Sequence, residues 1–318
     1  MIQEPIETAD PSASPEETET QPRRTLPTAV LFSASENRLR AGWRLLVQAV
    51  LLVILLFGLQ FILDYFLTPR VGFLEKGLFL TTQVLLLISV TVSVFFARVF
   101  LDQRSVGSLG LALDWQTLRE YLLGVGISGL VMGLIFLLEW SFGWLKFQSF
   151  AWEARSVDAV LLDGLVFLLI FLSVSWQEEL LFRGYWLQNL EDGLNILWAV
   201  GISSLFFAFA HWGNPQFALV PLIGLFLSSL LLTYGYLATR RLWLPIGLHF
   251  GWNFFGGLVF GFPVGGLTVP AVINHSLSGP EWLTGGGFGP ESGVILLPAL
   301  ALGFFLIWAY QIYSSPTA

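Results

Sequence analysis

Eight stretches of this chain are apolar over close to the ~20 residues that a helix needs to cross a bilayer. They fall at Trp43–Phe66, Gly77–Phe100, Tyr121–Trp140, Asp163–Leu187, Leu194–Ala210, Phe217–Thr239, Leu242–Phe262 and Gly293–Tyr313. In hydrocarbon each segment must satisfy its own backbone polar groups, and apolar runs of this length do so as helices. Only 12% of the residues are charged and 55% are hydrophobic, against about 25% charged in soluble chains. The expected fold class is all-α, a polytopic membrane protein with a bundle of about eight transmembrane helices.

The absence of Cys excludes disulfides, iron–sulfur clusters, thiolate zinc sites and a cysteine nucleophile. No basic stripe suggests nucleic acid, so the expected partners are the lipid bilayer and a membrane-anchored protein or peptide. Residues 1–40 are expected to form a disordered acidic, Pro-rich tail, and 41–318 a single membrane domain. With no cleavable leader recognisable after Met1, the first span is expected to stay as an anchor. Arg23, Arg24, Arg38, Arg40 and Arg44 assign the N-terminus to the cytoplasm, here expected to be bacterial. Arg98, Arg104, Arg119, Arg183, Arg240 and Arg241 recur on that same side, which brings the C-terminus there too. Lys146 and Arg155 fall on the other side among acidic neighbours. Leu101–Arg119 is expected as a short amphipathic surface element and Pro263–Glu291 as a long irregular outer loop.

Against this apolar background Gln177–Gly184 reads Gln-Glu-Glu-Leu-Leu-Phe-Arg-Gly. Three ionisable groups in or near hydrocarbon cost several kcal/mol each unless compensated, and mark functional sites by default. Glu179 and Arg183 are four apart and share a helix face, in the favourable acid-then-base order. Glu178 points about 140° away from Arg183 at 100° per residue. A desolvated carboxylate without a cation is the one suited to abstract a proton, so Glu178 is the chemical candidate and Glu179 with Arg183 its support. His211 follows Phe207 by four residues, and Asn253 follows His249 by four, so each pair shares a face. His275, in the outer loop, reads as a bystander. Taken singly, each residue has a plainer role: His211 at an interface, Asn253 as helix–helix glue, Glu179–Arg183 as a structural pair. Together they fit an enzyme, with a non-catalytic immunity or interaction protein and a proton-coupled carrier as the alternatives.

Glu-Glu-x-x-x-Arg, Phe-x-x-x-His and His-x-x-x-Asn, in that order over Glu178–Asn253, are similar to the motifs of the CAAX-processing and bacteriocin-processing or immunity family of intramembrane proteases. The resemblance implies an endopeptidase whose site opens toward the cytoplasm. On that template Glu178 and His211 activate a water, while His249 and Asn253 donate to the oxyanion. It also permits a divalent metal such as zinc on Glu178, His211 and His249, although no cofactor is required on the favoured reading. One point of geometry resists. At 1.5 Å per residue His249 lies about 10 Å inward from Arg241, whereas His211 falls at the opposite end of its span. A shared pocket therefore needs the fifth span to start deeper or the Gly213–Gln216 turn to dip into the bundle, of which the dip is expected, and imidazoles more than about 12 Å apart would defeat it.

Overall fold

The computed structural model describes residues 30–33, 38–66 and 75–314. Most of the expected tail over 1–40 therefore lies outside the described residues. Eight apolar helices follow in chain order: α1 (Ala41–Phe66), α2 (Glu75–Phe96), α3 (Trp115–Ser141), α4 (Val157–Glu179), α5 (Ile196–Ala210), α6 (Leu219–Thr239), α7 (Trp243–Asn253) and α8 (Leu296–Ser314). Six of them are long and apolar enough to cross a membrane, α4 by continuing to Gly193. The chain is a helical membrane protein. The two shorter helices each stop early for a reason: α5 ends in the turn at His211, and α7 passes at Asn253 into a π-helical segment, Phe254–Val259. A second π segment, Leu180–Trp186, carries α4 into a short last helix.

Helix starts follow local chemistry. Asp114 caps α3, its side chain accepting from Thr117 N while the Thr117 hydroxyl accepts from Asp114 N. Asn195 caps α5 by accepting from Leu197 N and Trp198 N. Such caps satisfy donors that a helix leaves orphaned at its first turn.

The helices alternate in direction, and ion pairs tie one end of the bundle. Arg44 and Arg98 both reach Asp102 at 2.9 Å, Arg240 meets Glu191, and Arg241 meets Asp114. Beside Arg241 the Asp114 carboxyl is held below the usual carboxylate range. Arg119 stacks over the Tyr310 ring at this same end. The Leu101–Arg119 stretch does not simply lie on a surface. Leu109 is fully buried, and Gly110 accepts from Leu242 N at the start of α7.

The opposite end adds a little sheet to an otherwise helical chain. A two-stranded antiparallel sheet pairs β1 (Leu145–Phe150) with β2 (Ile273–Leu277), Leu145 opposite Leu277 and Phe150 opposite Ile273. Backbone donors and acceptors leaving a bundle must still find partners, and here two connections supply each other. The loop over 263–291 is therefore anchored rather than irregular throughout.

Candidate active site

The site begins with a close contact of backbones. A Cβ on Gly247 would lie 2.2 Å from Tyr121 O, and one on Gly124 2.5 Å from Leu244 O. Small residues of this kind let membrane helices touch, and Ser128 Oγ adds a 2.6 Å hydrogen bond to Leu248 O. α7 is thereby pinned against α3 with little freedom to rotate, which fixes the direction of His249 and Asn253.

On α4, Glu179 and Arg183 form the expected pair, Nη1 to Oε1 at 2.9 Å, with both side chains buried. Arg183 also donates to Ser229 O at 3.0 Å and lies 4.5 Å above the Phe207 ring. Glu179 Oε1 further accepts from His249 Nδ1 at 2.8 Å. His211 Nδ1 is 2.9 Å from Phe207 O, an atom that can only accept. Both imidazoles thus use Nδ1–H to hold the ring and turn Nε2 the other way. Each Nε2 stands 3.9 Å from the same atom, Glu178 Oε2. The two Nε2 atoms are consequently no more than twice that distance apart, inside the 12 Å limit. The turn over 211–217 remains largely exposed rather than dipping as a whole; within it Asn214 lines the same cavity and its Nδ2 donates to Gly265 O at 2.8 Å.

Glu178, His211, His249 and Asn253 line one cavity of about 890 Å³, with Phe207 in its wall. Glu178 Oε2 is buried with no hydrogen-bond partner among the protein groups. An acceptor so placed, facing two more ring nitrogens, calls for a donor between them. Two imidazoles and a carboxylate are the donor types zinc accepts, but a tetrahedral zinc would draw its ligand atoms to about 3.3 Å of one another. As spaced, the three do not make a metal cluster, nor does any other group of three His or carboxylate residues among those described. We therefore derive no step through a metal. His275 lies apart from the cavity, on β2 against Phe262.

One cavity residue has no counterpart in the sequence reading. Glu291, from the end of the long loop, accepts from Trp252 Nε1 at 2.8 Å and from Gly265 N at 3.1 Å. It is buried, and burial pushes its carboxyl up. Its backbone presses on α6 at Gly224, where a Cβ would meet Glu291 O at 1.6 Å. An acid in a Gly- and Pro-rich loop ordinarily reads as solvated. The only sequence signal is Trp252, a donor beside a motif residue that needs an acceptor when buried.

Residues 160–255 match the family model for type II CAAX prenyl endopeptidase Rce1-like proteins. Over this stretch the chain is similar to that family. No curated protein matches it. The Rce1-like segment contains Glu178, Glu179, Arg183, Phe207, His211, His249 and Asn253, and ends two residues beyond the last of them. Glu291 and the sheet lie outside it. The match supports a CAAX-type intramembrane protease and with it a membrane-associated substrate.

Proposed function

We propose that the chain is an intramembrane endopeptidase that hydrolyses a peptide bond of a membrane-anchored protein or peptide. The observation that carries this is Glu178 Oε2 facing two imidazole Nε2 atoms at 3.9 Å each within one cavity. Gaps of that length are bridged by one water making ordinary hydrogen bonds of about 2.8 Å. Glu178, helped by His211 Nε2, takes a proton from this water as its oxygen attacks the scissile carbonyl. The same proton then goes to the leaving amine. His249 and Asn253, one turn apart, receive the developing oxyanion. For His249 Nε2 to donate, the ring must carry both protons, and the Glu179 carboxylate on Nδ1 offsets that charge. The amide of Asn253 donates without changing charge.

In this reading α5 and α7, too short by themselves to be scored as spans, complete an eight-helix bundle in a bacterial plasma membrane. Both termini are cytoplasmic. The buried positions of α7, which include Leu244, Ile246 and Leu248, suit a helix surrounded by other helices. Asn253→Ala should lower kcat by roughly 10²–10³ with KM little changed, the loss associated with one oxyanion donor. An equal fall in kcat and rise in KM would assign Asn253 to substrate binding instead. The mechanism uses no cofactor, so incubation of the reconstituted enzyme with a strong zinc chelator should leave cleavage within about twofold. Loss of activity restored by added zinc would replace the water-activating carboxylate with a metal centre.

A further inference from the structure

We propose that Gln83 and Gln177 form a subsite for the substrate's backbone, a clamp that takes the N–H and C=O of one extended residue close to the bond cut. The inference deepens the endopeptidase reading and rests on it for its substrate. Among the described residues that line the cavity, three side-chain atoms are buried without a protein hydrogen-bond partner: Glu178 Oε2, Gln177 Oε1 and Ser228 Oγ. The Glu178 oxygen faces the two imidazoles. A serine hydroxyl in a helix can rotate onto a carbonyl of the preceding turn. Gln177 Oε1 has no such recourse. It is an acceptor only, on a residue 5% exposed, and a buried acceptor left unpaired carries its full desolvation penalty.

The same amide is held on its other side. Gln177 Nε2 donates from α4 to Gln83 Oε1 on α2 at 3.4 Å, long against the usual distance of about 2.9–3.0 Å. These two helices do not depend on it, since Trp176 Nε1 donates to Thr91 Oγ1 at 3.0 Å. Two glutamine amides joined by one bond leave over the carbonyl of Gln177 and N–H groups of Gln83. An acceptor beside a donor is what an extended residue meets in an antiparallel ladder, where both its N–H and its C=O are paired. The last torsion of a glutamine is broad, so the Gln177 amide can turn Oε1 into the cavity. A segment to be cut must first leave its own helical ladder, and its freed backbone groups then need partners that hydrocarbon does not supply. The neighbouring wall on α2 and α4 offers Leu80, Leu86, Ile170 and Val174, all apolar. Gln177 directly precedes Glu178, with Cα atoms about 3.8 Å apart. At about 3.3 Å per extended residue, the clamp meets the substrate within about three residues of the bond cut.

The test removes the hydrogen bond from each side in turn. The probe is a dye-labelled peptide ending in the CAAX prenyl form that the matching family's name describes. In a set of such peptides each link near the prenylated Cys is replaced by an ester, which deletes one N–H. Binding is read by fluorescence anisotropy on the full-length chain carrying Glu178→Gln, so that nothing is turned over. One ester should weaken binding roughly three- to tenfold, the worth of one neutral hydrogen bond. Adding Gln177→Leu should weaken the all-amide peptide by a similar factor and make it indifferent to that ester, within about twofold. A merely structural role would lower affinity and leave the ester just as harmful, which overturns the proposal. Equal binding of all peptides to both proteins, or no binding to either, overturns it too. Gln83→Leu is the second variant should Gln177→Leu fold poorly. It should weaken binding by a similar factor with the ester still harmful, and no loss there is equally fatal. Cleavage of the all-amide peptide by the chain with Glu178 intact is read separately. Coupling without cleavage sinks the endopeptidase and leaves the clamp standing, and cleavage without coupling does the reverse.

Discussion

Glu178→Gln is expected to reduce hydrolysis by roughly 10²–10⁴, the range supplied by a positioned general base. The folded protein should be otherwise unaltered. The reason is specific to its environment. Glu178 Oε2 makes no hydrogen bond to any protein group and faces only the two imidazole nitrogens. An amide of the same shape can therefore occupy the position without breaking a contact that the fold uses. What it cannot do is take a proton from water. The measurement is cleavage of a membrane-anchored reporter by the reconstituted variant, alongside its thermal midpoint in mild detergent. Comparing membrane fractions from cells carrying either form should reveal an uncut protein that accumulates only with Glu178→Gln. Activity within about threefold of the parent would remove Glu178 from the chemistry. A cellular phenotype that survives intact would favour the interaction protein. A proton-coupled carrier would instead lose transport in this variant, without any change in the cleavage of a peptide.

The site was legible in the sequence to the extent that helical spacing controls it. A separation of four puts Glu179 and Arg183 on one face of a helix, and they bond there; a separation of five from Arg183 turned Glu178 away, toward the cavity. That His249 and Asn253 line one wall followed from the same arithmetic. The depth conflict between His211 and His249 was also readable, yet both Nε2 atoms reach the same Glu178 oxygen. Contacts set by neither period nor motif were not readable. Glu291 comes 38 residues after Asn253 through a loop whose path depends on β1 pairing with β2. Leu145–Phe150 alternates polar and apolar, but six residues between two spans are too few to distinguish a strand from a linker. The six helices long enough to span were plain from length, whereas α5 and α7 owe their shortness to a turn and to a π segment.

Arg183→Met should cost about 3–5 kcal/mol, because it leaves the buried Glu179 carboxylate without its cation. For a chain of this size that corresponds to a fall in thermal midpoint of order 10 °C. Arg183 is 1% exposed and joins three helices: Nη1 to Glu179 on α4, Nη2 to Ser229 O on α6, and the guanidinium face over Phe207 on α5. Arg183→Lys keeps a charge but loses the planar fork, so it should fall between the two. Adding Glu179→Gln to Arg183→Met should restore part of the loss, since the second change discharges the group that the first one stranded. The pair would show a coupling of more than about 1 kcal/mol in a double-mutant cycle. Resistance to heating, read as the monodisperse fraction by size exclusion, provides the scale. Additive losses would mean that the two side chains are stabilised separately and that the 2.9 Å contact contributes nothing. Activity is expected to fall in both variants even below their midpoints. Glu179 Oε1 holds Arg183 Nη1 and His249 Nδ1 together, so disturbing either contact frees the ring whose Nε2 must meet the oxyanion. A variant that is destabilised yet cleaves at the parental rate at low temperature would show that His249 is aimed by its tight packing on α3 alone.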